Sequence, residues 1–219
     1  MSRERKPRKV YPAIAVLVDG NDEQWYVSKV RDHYPCDALR TIKIRPELPR
    51  RKKVQELFDL AKSKLEEEYT FVIIMFDLDE PLRNPKEFEK FKELYTLYLF
   101  AQENSLKGRQ KTNYNWMKKI LLIVNNPCLE YWYLLHYRRT TKFFADYTAL
   151  CSELRKIPEL AKYKKDEDYY NCHPNIYERL SRNNGLENAR RNAIKFDLNN
   201  CKNQGCSEMN LFFDYFDSL

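Results

Sequence analysis

An α/β fold, a mostly parallel sheet flanked by helices and followed by a helical C-terminal region, is predicted by three observations. Residues 1–138 alternate strand and helix patterns four times over, the order that gives parallel strands with right-handed crossovers. The run Phe71-Val72-Ile73-Ile74-Met75-Phe76 is apolar without a break, as in a strand buried on both faces. Beyond Arg138 the strand pattern does not return, so residues 139–219 read as helices packed on an α/β domain of residues 1–138.

Each element follows from its own residues. A basic tail over 3–9 leads into a first strand, 11–18, in which Ile14, Ala15, Val16, Leu17 and Val18 are unbroken. The strand ends in Asp19-Gly20-Asn21-Asp22-Glu23, an acid, a turn glycine and a helix opening with Asp and Glu, which is how the ligand edge of an α/β sheet reads. The helix 24–33 turns Trp25, Tyr26 and Val30 inward. The alternating stretch 41–44 predicts a strand towards a sheet edge, and the loop 45–53 is broken by proline and basic at Arg50, Arg51, Lys52 and Lys53. Val54, Leu57, Phe58, Ala61 and Leu65 have helical spacing over 54–68.

The central strand ends in Asp77-Leu78-Asp79-Glu80. Alternation in extended backbone puts Asp77 and Asp79 on one side and turns Leu78 into packing. Two carboxylates so placed resist joint ionisation unless a cation lies between them, and Mg2+ favours a few carboxylates plus waters. A strand that stops in a solvated acidic turn is the alternative.

Pro81 and Pro85 predict a loop before a helix over 86–101. The next segment, carrying Lys107, Arg109 and Lys111, reads as a phosphate-contacting loop or a solvated connection. The strand 120–124 ends in Asn125-Asn126-Pro127, and the helix 129–137 carries Glu130 in its first turn. His136 lies in the last turn, where the helix dipole favours a cation, in a structural or a catalytic role. Helices are predicted over 143–156, 175–181, 186–196 and 207–216, with Lys162-Tyr163-Lys164-Lys165 between two of them as a basic contact or a wet loop.

Composition narrows the function. Lys and Arg outnumber Asp and Glu 39 to 32, a net charge of +7, which suits a polyanionic partner such as DNA or RNA. With 4 glycines and neither GxxxxGK[ST] nor GxGxxG, a glycine-rich nucleotide-binding loop is excluded. No apolar segment suggests a signal peptide or a membrane span, so a cytoplasmic protein is expected, its 6 dispersed cysteines as free thiols.

Val18-Asp19-Gly20, Phe76-Asp77-Leu78-Asp79-Glu80 and the segment from Asn126-Pro127-Cys128-Leu129-Glu130 to His136-Tyr137 together resemble the RloB family over nearly the whole chain. The resemblance implies a Toprim-like domain and an association with antiphage defence and abortive infection. It also implies a Mg2+ site, with Mn2+ as a substitute, at Asp19, Asp77 and Asp79. This chain carries Asp19 where the family usually carries glutamate, one methylene longer. The implied activity is a metal-dependent nuclease with Asp19, Asp77, Asp79 and Glu130 as catalytic residues, and with Glu80, Glu23 or Glu130 completing a second metal site. Arg50 to Lys53 and Lys107, Arg109 and Lys111 would hold the nucleic acid. The alternative is a defence protein that binds nucleic acid or a partner without cutting it, working with an ATPase encoded elsewhere.

Overall fold

The computed structural model describes residues 11–18, 20–45 and 53–219. Asp19, Arg50, Arg51 and Lys52 lie outside the described residues. In chain order the elements are β1 (Ile14–Leu17), α1 (Asn21–His33), β2 (Lys43–Arg45), α2 (Val54–Glu66), β3 (Phe71–Asp77), α3 (Asp79–Arg83), α4 (Pro85–Gln102), α5 (Gly108–Tyr114), β4 (Ile120–Asn126), α6 (Glu130–Leu135), α7 (Tyr147–Leu154), α8 (Glu167–Asn171), α9 (Ile176–Ser181), α10 (Gly185–Asn192), β5 (Cys206–Ser207) and α11 (Asn210–Asp217). The described strands form one sheet in the order β2-β1-β3-β4-β5. All pairs are parallel except β4 with β5.

The pleat divides the strands between two cores. Ala15, Leu17, Val72, Ile74, Phe76, Leu122 and Val124 face α2 and α4. Ile14, Val16, Ile73, Met75 and Ile123 face α1, α6 and the C-terminal helices. Side chains on alternate faces explain why the central strands are apolar throughout, since helices cover both sides. The three-layer α/β architecture is the one the sequence predicts, with local differences, among them the helix α5 where the sequence reads as a loop or connection. Residues 206–207 form an edge strand rather than the start of a helix, pairing Ser207 with Asn125 and Cys206 with Asn126. Residues 79–83 form a short helix rather than a loop, because Pro81 stands in its first turn, where no intrahelical N–H is needed.

The C-terminal region interlocks with the sheet. Glu208 accepts hydrogen bonds from the backbone N–H of Val124 (3.2 Å) and of Phe196 (3.0 Å), and Asn126 Nδ2 donates to the carbonyls of Cys201 and Gln204, both at 2.7 Å. Between α9 and α10 the backbone packs so closely that a Cβ on Gly185 would lie 1.9 Å from the Leu180 carbonyl oxygen. Gly185→Ala must therefore part these helices, and overpacking against backbone is expected to cost about 3 kcal/mol or more. For a chain of this size that lowers Tm by about 10 °C in a thermal melt. A fall of less than ~2 °C would contradict the packing described.

Candidate functional site

The carboxyl ends of the adjacent strands β1, β3 and β4 bring acids from three parts of the chain to one rim, where open α/β sheets place ligands. Asp22 and Glu23 occupy the first turn of α1, where the helix dipole favours negative charge, and both are buried. Gly20 leaves room for them, since a Cβ there would stand 2.9 Å from Glu23 Oε2 and 3.0 Å from Asp22 Oδ1. Asp77 closes β3, 7% exposed, and its Oδ1 accepts a hydrogen bond from Asn125 Nδ2 at 3.1 Å. Asn125 is itself oriented by Ser207 Oγ, which donates to its Oδ1 at 2.6 Å. Glu130 opens α6 and is completely buried.

The extended backbone stops at Asp77: Leu78 has helical dihedrals (φ −95°, ψ −8°) and Asp79 is the first residue of α3. Alternation therefore does not set the direction of Asp79. Its place comes from the loop, where the N–H groups of Leu78 and Asp79 both donate to the Pro127 carbonyl at 3.0 Å and tie the end of β3 to the end of β4. Burial pushes the Asp79 carboxyl above its ordinary value, opposed by Arg83, whose Nη2 is 3.8 Å away. Glu80 is exposed and lies 3.6 Å from Arg83.

At the centre of the acids stands Lys165, from the segment ahead of α8. Its Nζ is 2.7 Å from Asp22 Oδ2 and 3.3 Å from Glu130 Oε1, and 4.8 Å from the centre of the Tyr147 ring. Burial works against its charge, but the carboxylates of Glu130, Asp22, Glu23 and Asp77 outweigh burial and hold Lys165 charged. Four carboxylates thus share one ammonium. The excess is felt by Glu23, whose pKa is raised well above 4.5 by burial, Asp22 and Asp77, with Lys165 opposing. Behind Glu130 runs a buried line of phenols: Tyr163 donates to Glu130 Oε1 at 2.8 Å, Tyr163 and Tyr170 share a hydrogen bond of 2.8 Å, and Tyr133 donates to Tyr170 at 3.2 Å.

The donors suit a hard divalent cation in kind and in charge. All are carboxylate oxygens, and among the described residues Glu23 Oε2 and Glu130 Oε2 are buried without a hydrogen-bond partner. Among those residues, though, no three His, Cys, Asp or Glu side chains stand ready as a metal-binding group. Lys165 takes the space between Asp22 and Glu130.

Of the residues predicted from sequence, Asp77, Asp79, Glu130 and Glu23 come together at this rim, each within the electrostatic reach of Lys165. Lys53 is exposed at the start of α2, and its N–H donates to Glu56 Oε2 at 3.3 Å. Lys107, Arg109 and Lys111 are exposed on and beside α5, which leads into the amino end of β4, the opposite rim from the acids. His136 is a packing residue and not a cation. Burial lowers its pKa to about 3, its Nδ1 donates to the Leu180 carbonyl at 2.8 Å, and its ring meets Trp132 edge-on. Sequence reasoning missed the role of Asp22, which was only part of a helix opening, and of Lys165, Tyr163 and Tyr170, which lie in a stretch with no periodicity. Six cysteines are free. No helix among the described residues is long and apolar enough to cross a membrane.

No curated protein and no solved structure matches the chain. The sequence profile described as RloB-like protein matches residues 14–214, from β1 into α11 and across every element of the site. The chain therefore belongs to the RloB-like family.

Proposed function

We propose that this protein is a Mg2+-dependent nuclease of the Toprim type, acting on DNA or RNA in antiphage defence. The observation that carries the reading is the uncompensated charge at the sheet rim, where Asp22, Glu23, Asp77 and Glu130 face a single lysine. Asp77, Asp79 and Glu23 would hold the metal, joined by Asp19 as the family resemblance implies. A divalent ion bound there supplies Lewis acidity and a water of lowered pKa. The chain's own residues do the rest. Asn125 keeps Asp77 oriented, the Pro127 carbonyl holds the backbone of Asp79, and Tyr163 holds Glu130. Burial, Asp22 and Asp77 push the Glu23 carboxyl above its ordinary value, which favours a proton on it when no cation is bound. Lys165 is a third exposed at its side chain and can meet a phosphate oxygen from the solvent side.

One observation favours a second reading, a protein that binds nucleic acid or a partner without cutting, alongside a separate ATPase. Lys165 already supplies an internal counter-charge to Asp22 and Glu130. The two readings part on cation binding. Titration with Mn2+ followed by electron paramagnetic resonance, with cleavage of single- and double-stranded DNA and RNA followed on gels with and without chelator, should show saturable binding and chelator-sensitive cleavage. Absence of both would leave only the second reading.

A further inference from the structure

At the rim opposite the acids the chain carries a run of unusual charge. From Asn104 to Lys119 there is no Asp or Glu, while Lys107, Arg109, Lys111, Lys118 and Lys119 supply five cations. The helix within the run, α5, fully buries none of its residues, and only Tyr114 of it packs partly against the core, so packing does not account for the cations. Among the described residues no carboxylate pairs with any of the five, whereas most other lysines and arginines of α2 and α4 that form ion pairs do so within their own helix. Beside α5 lies an open cleft of about 530 Å³ lined by Thr112, Asn113, Asn115, Trp116 and Lys119, and across it by Lys62, Leu65 and Glu66 of α2. Trp116 is half-buried there with its Nε1 tied to the Asn113 carbonyl at 3.0 Å, and Lys62 pairs with Glu66 at 3.7 Å.

We infer that α5 and the cleft beside it form a binding surface for single-stranded nucleic acid, separate from the acid cluster. Unpaired cations release the counterions of a phosphate backbone, and an indole held by one edge beside them offers a platform for a base without selecting its sequence. Residues 115–119 join the end of α5 to the start of β4, and Glu130 follows where β4 ends. The two rims are therefore separated by the length of β4, about 20 Å at ~3.3 Å per residue. A strand engaging both must reach that far, so short oligonucleotides occupy one surface at a time. The inference rests on nucleic acid being the ligand of the proposed function, but not on its being cut.

The test uses the full-length protein in the presence of chelator, with fluorescent DNA and RNA strands of about 30 nucleotides, beyond the ~4–16 that a single small fold covers. Lys107→Ala, Arg109→Ala and Lys111→Ala together remove three exposed cations on and beside a helix with no fully buried residue, so the fold is retained and circular dichroism verifies it. Affinity for whichever strand binds should fall about tenfold or more, and the salt slope by about 2, at ~0.7 per phosphate contact. Inorganic polyphosphate should bind the wild-type protein more weakly than the oligonucleotide, because it has no bases to stack. Unchanged affinity and salt slope in the triple variant would overturn the surface, and polyphosphate binding as tightly as the oligonucleotide would overturn its assignment to nucleic acid. Binding in chelator with no cleavage once Mg2+ or Mn2+ is restored would count against the nuclease reading and leave this one in place.

Discussion

Asp77→Asn is expected to lower the rate of nucleic-acid cleavage about a thousandfold without lowering thermal stability. The substitution keeps the shape and the acceptor oxygen that receives the Asn125 hydrogen bond, so the end of β3 has no reason to move. It removes one carboxylate from a cluster that is short of positive charge. A metal ligand contributes several kcal/mol to charge stabilisation, and each ~1.4 kcal/mol is tenfold in rate. Asp77 also raises the pKa of Glu23, so its neutralisation relieves repulsion, and Tm should hold or rise slightly at pH 8. Lost activity with retained or raised stability is what a functional carboxylate gives and a structural one does not. Cleavage at the wild-type rate would sink the assignment.

Lys165→Met is expected to make stability depend on pH and on divalent cations. Methionine keeps the length and the apolar stem but leaves Asp22, Glu23, Asp77 and Glu130 with no internal counter-charge. Breaking a fully buried pair costs about 3–5 kcal/mol; with a third of the lysine side chain exposed, about 2–3 kcal/mol is the expectation at pH 7. The sign with pH follows from Glu23. A carboxyl whose folded pKa lies above its unfolded value of 4.5 favours folding fully below that value, and the contribution is lost as pH rises through the folded pKa. Removing the lysine raises the folded value further, so the deficit should be small near pH 4.5 and largest at pH 8. Mn2+ at about 100 times its Kd should restore ~2.7 kcal/mol, and its effect on Tm should be larger in the variant than in the wild type. Equal destabilisation at every pH, untouched by Mn2+, would show that Lys165 acts through packing alone.

The parts of this molecule that could be read in advance were those with local causes. β1, β3 and β4 announced themselves as apolar runs, and α2 and α4 by the spacing of Val54, Leu57, Phe58 and Ala61 and of Phe88, Phe91, Leu94 and Tyr95. The acids at the strand ends were visible because parallel sheets put their ligand edge there. What was hidden depends on long-range contact. Lys165 follows Glu130 by 35 residues (165 − 130) in a segment with no apolar period, and only the folded chain brings its Nζ among the acids. Tyr163 read as part of a basic contact or a wet loop, yet it is fully buried on the Glu130 carboxylate, with Tyr170 buried behind it. β5 is two residues long and pairs antiparallel, too short to leave a pattern. His136 has the position of a helix-end cation, but burial outweighs the dipole.

The grip of Asn126 on the carbonyls of Cys201 and Gln204 makes the end of β4 and the C-terminal segment answerable to one another. The same asparagine precedes the proline whose carbonyl positions Asp79. A protease that nicked the backbone between α10 and β5 would leave every acid on its own strand and still loosen the loop that aims them. Activity would then decay ahead of any melting of the sheet.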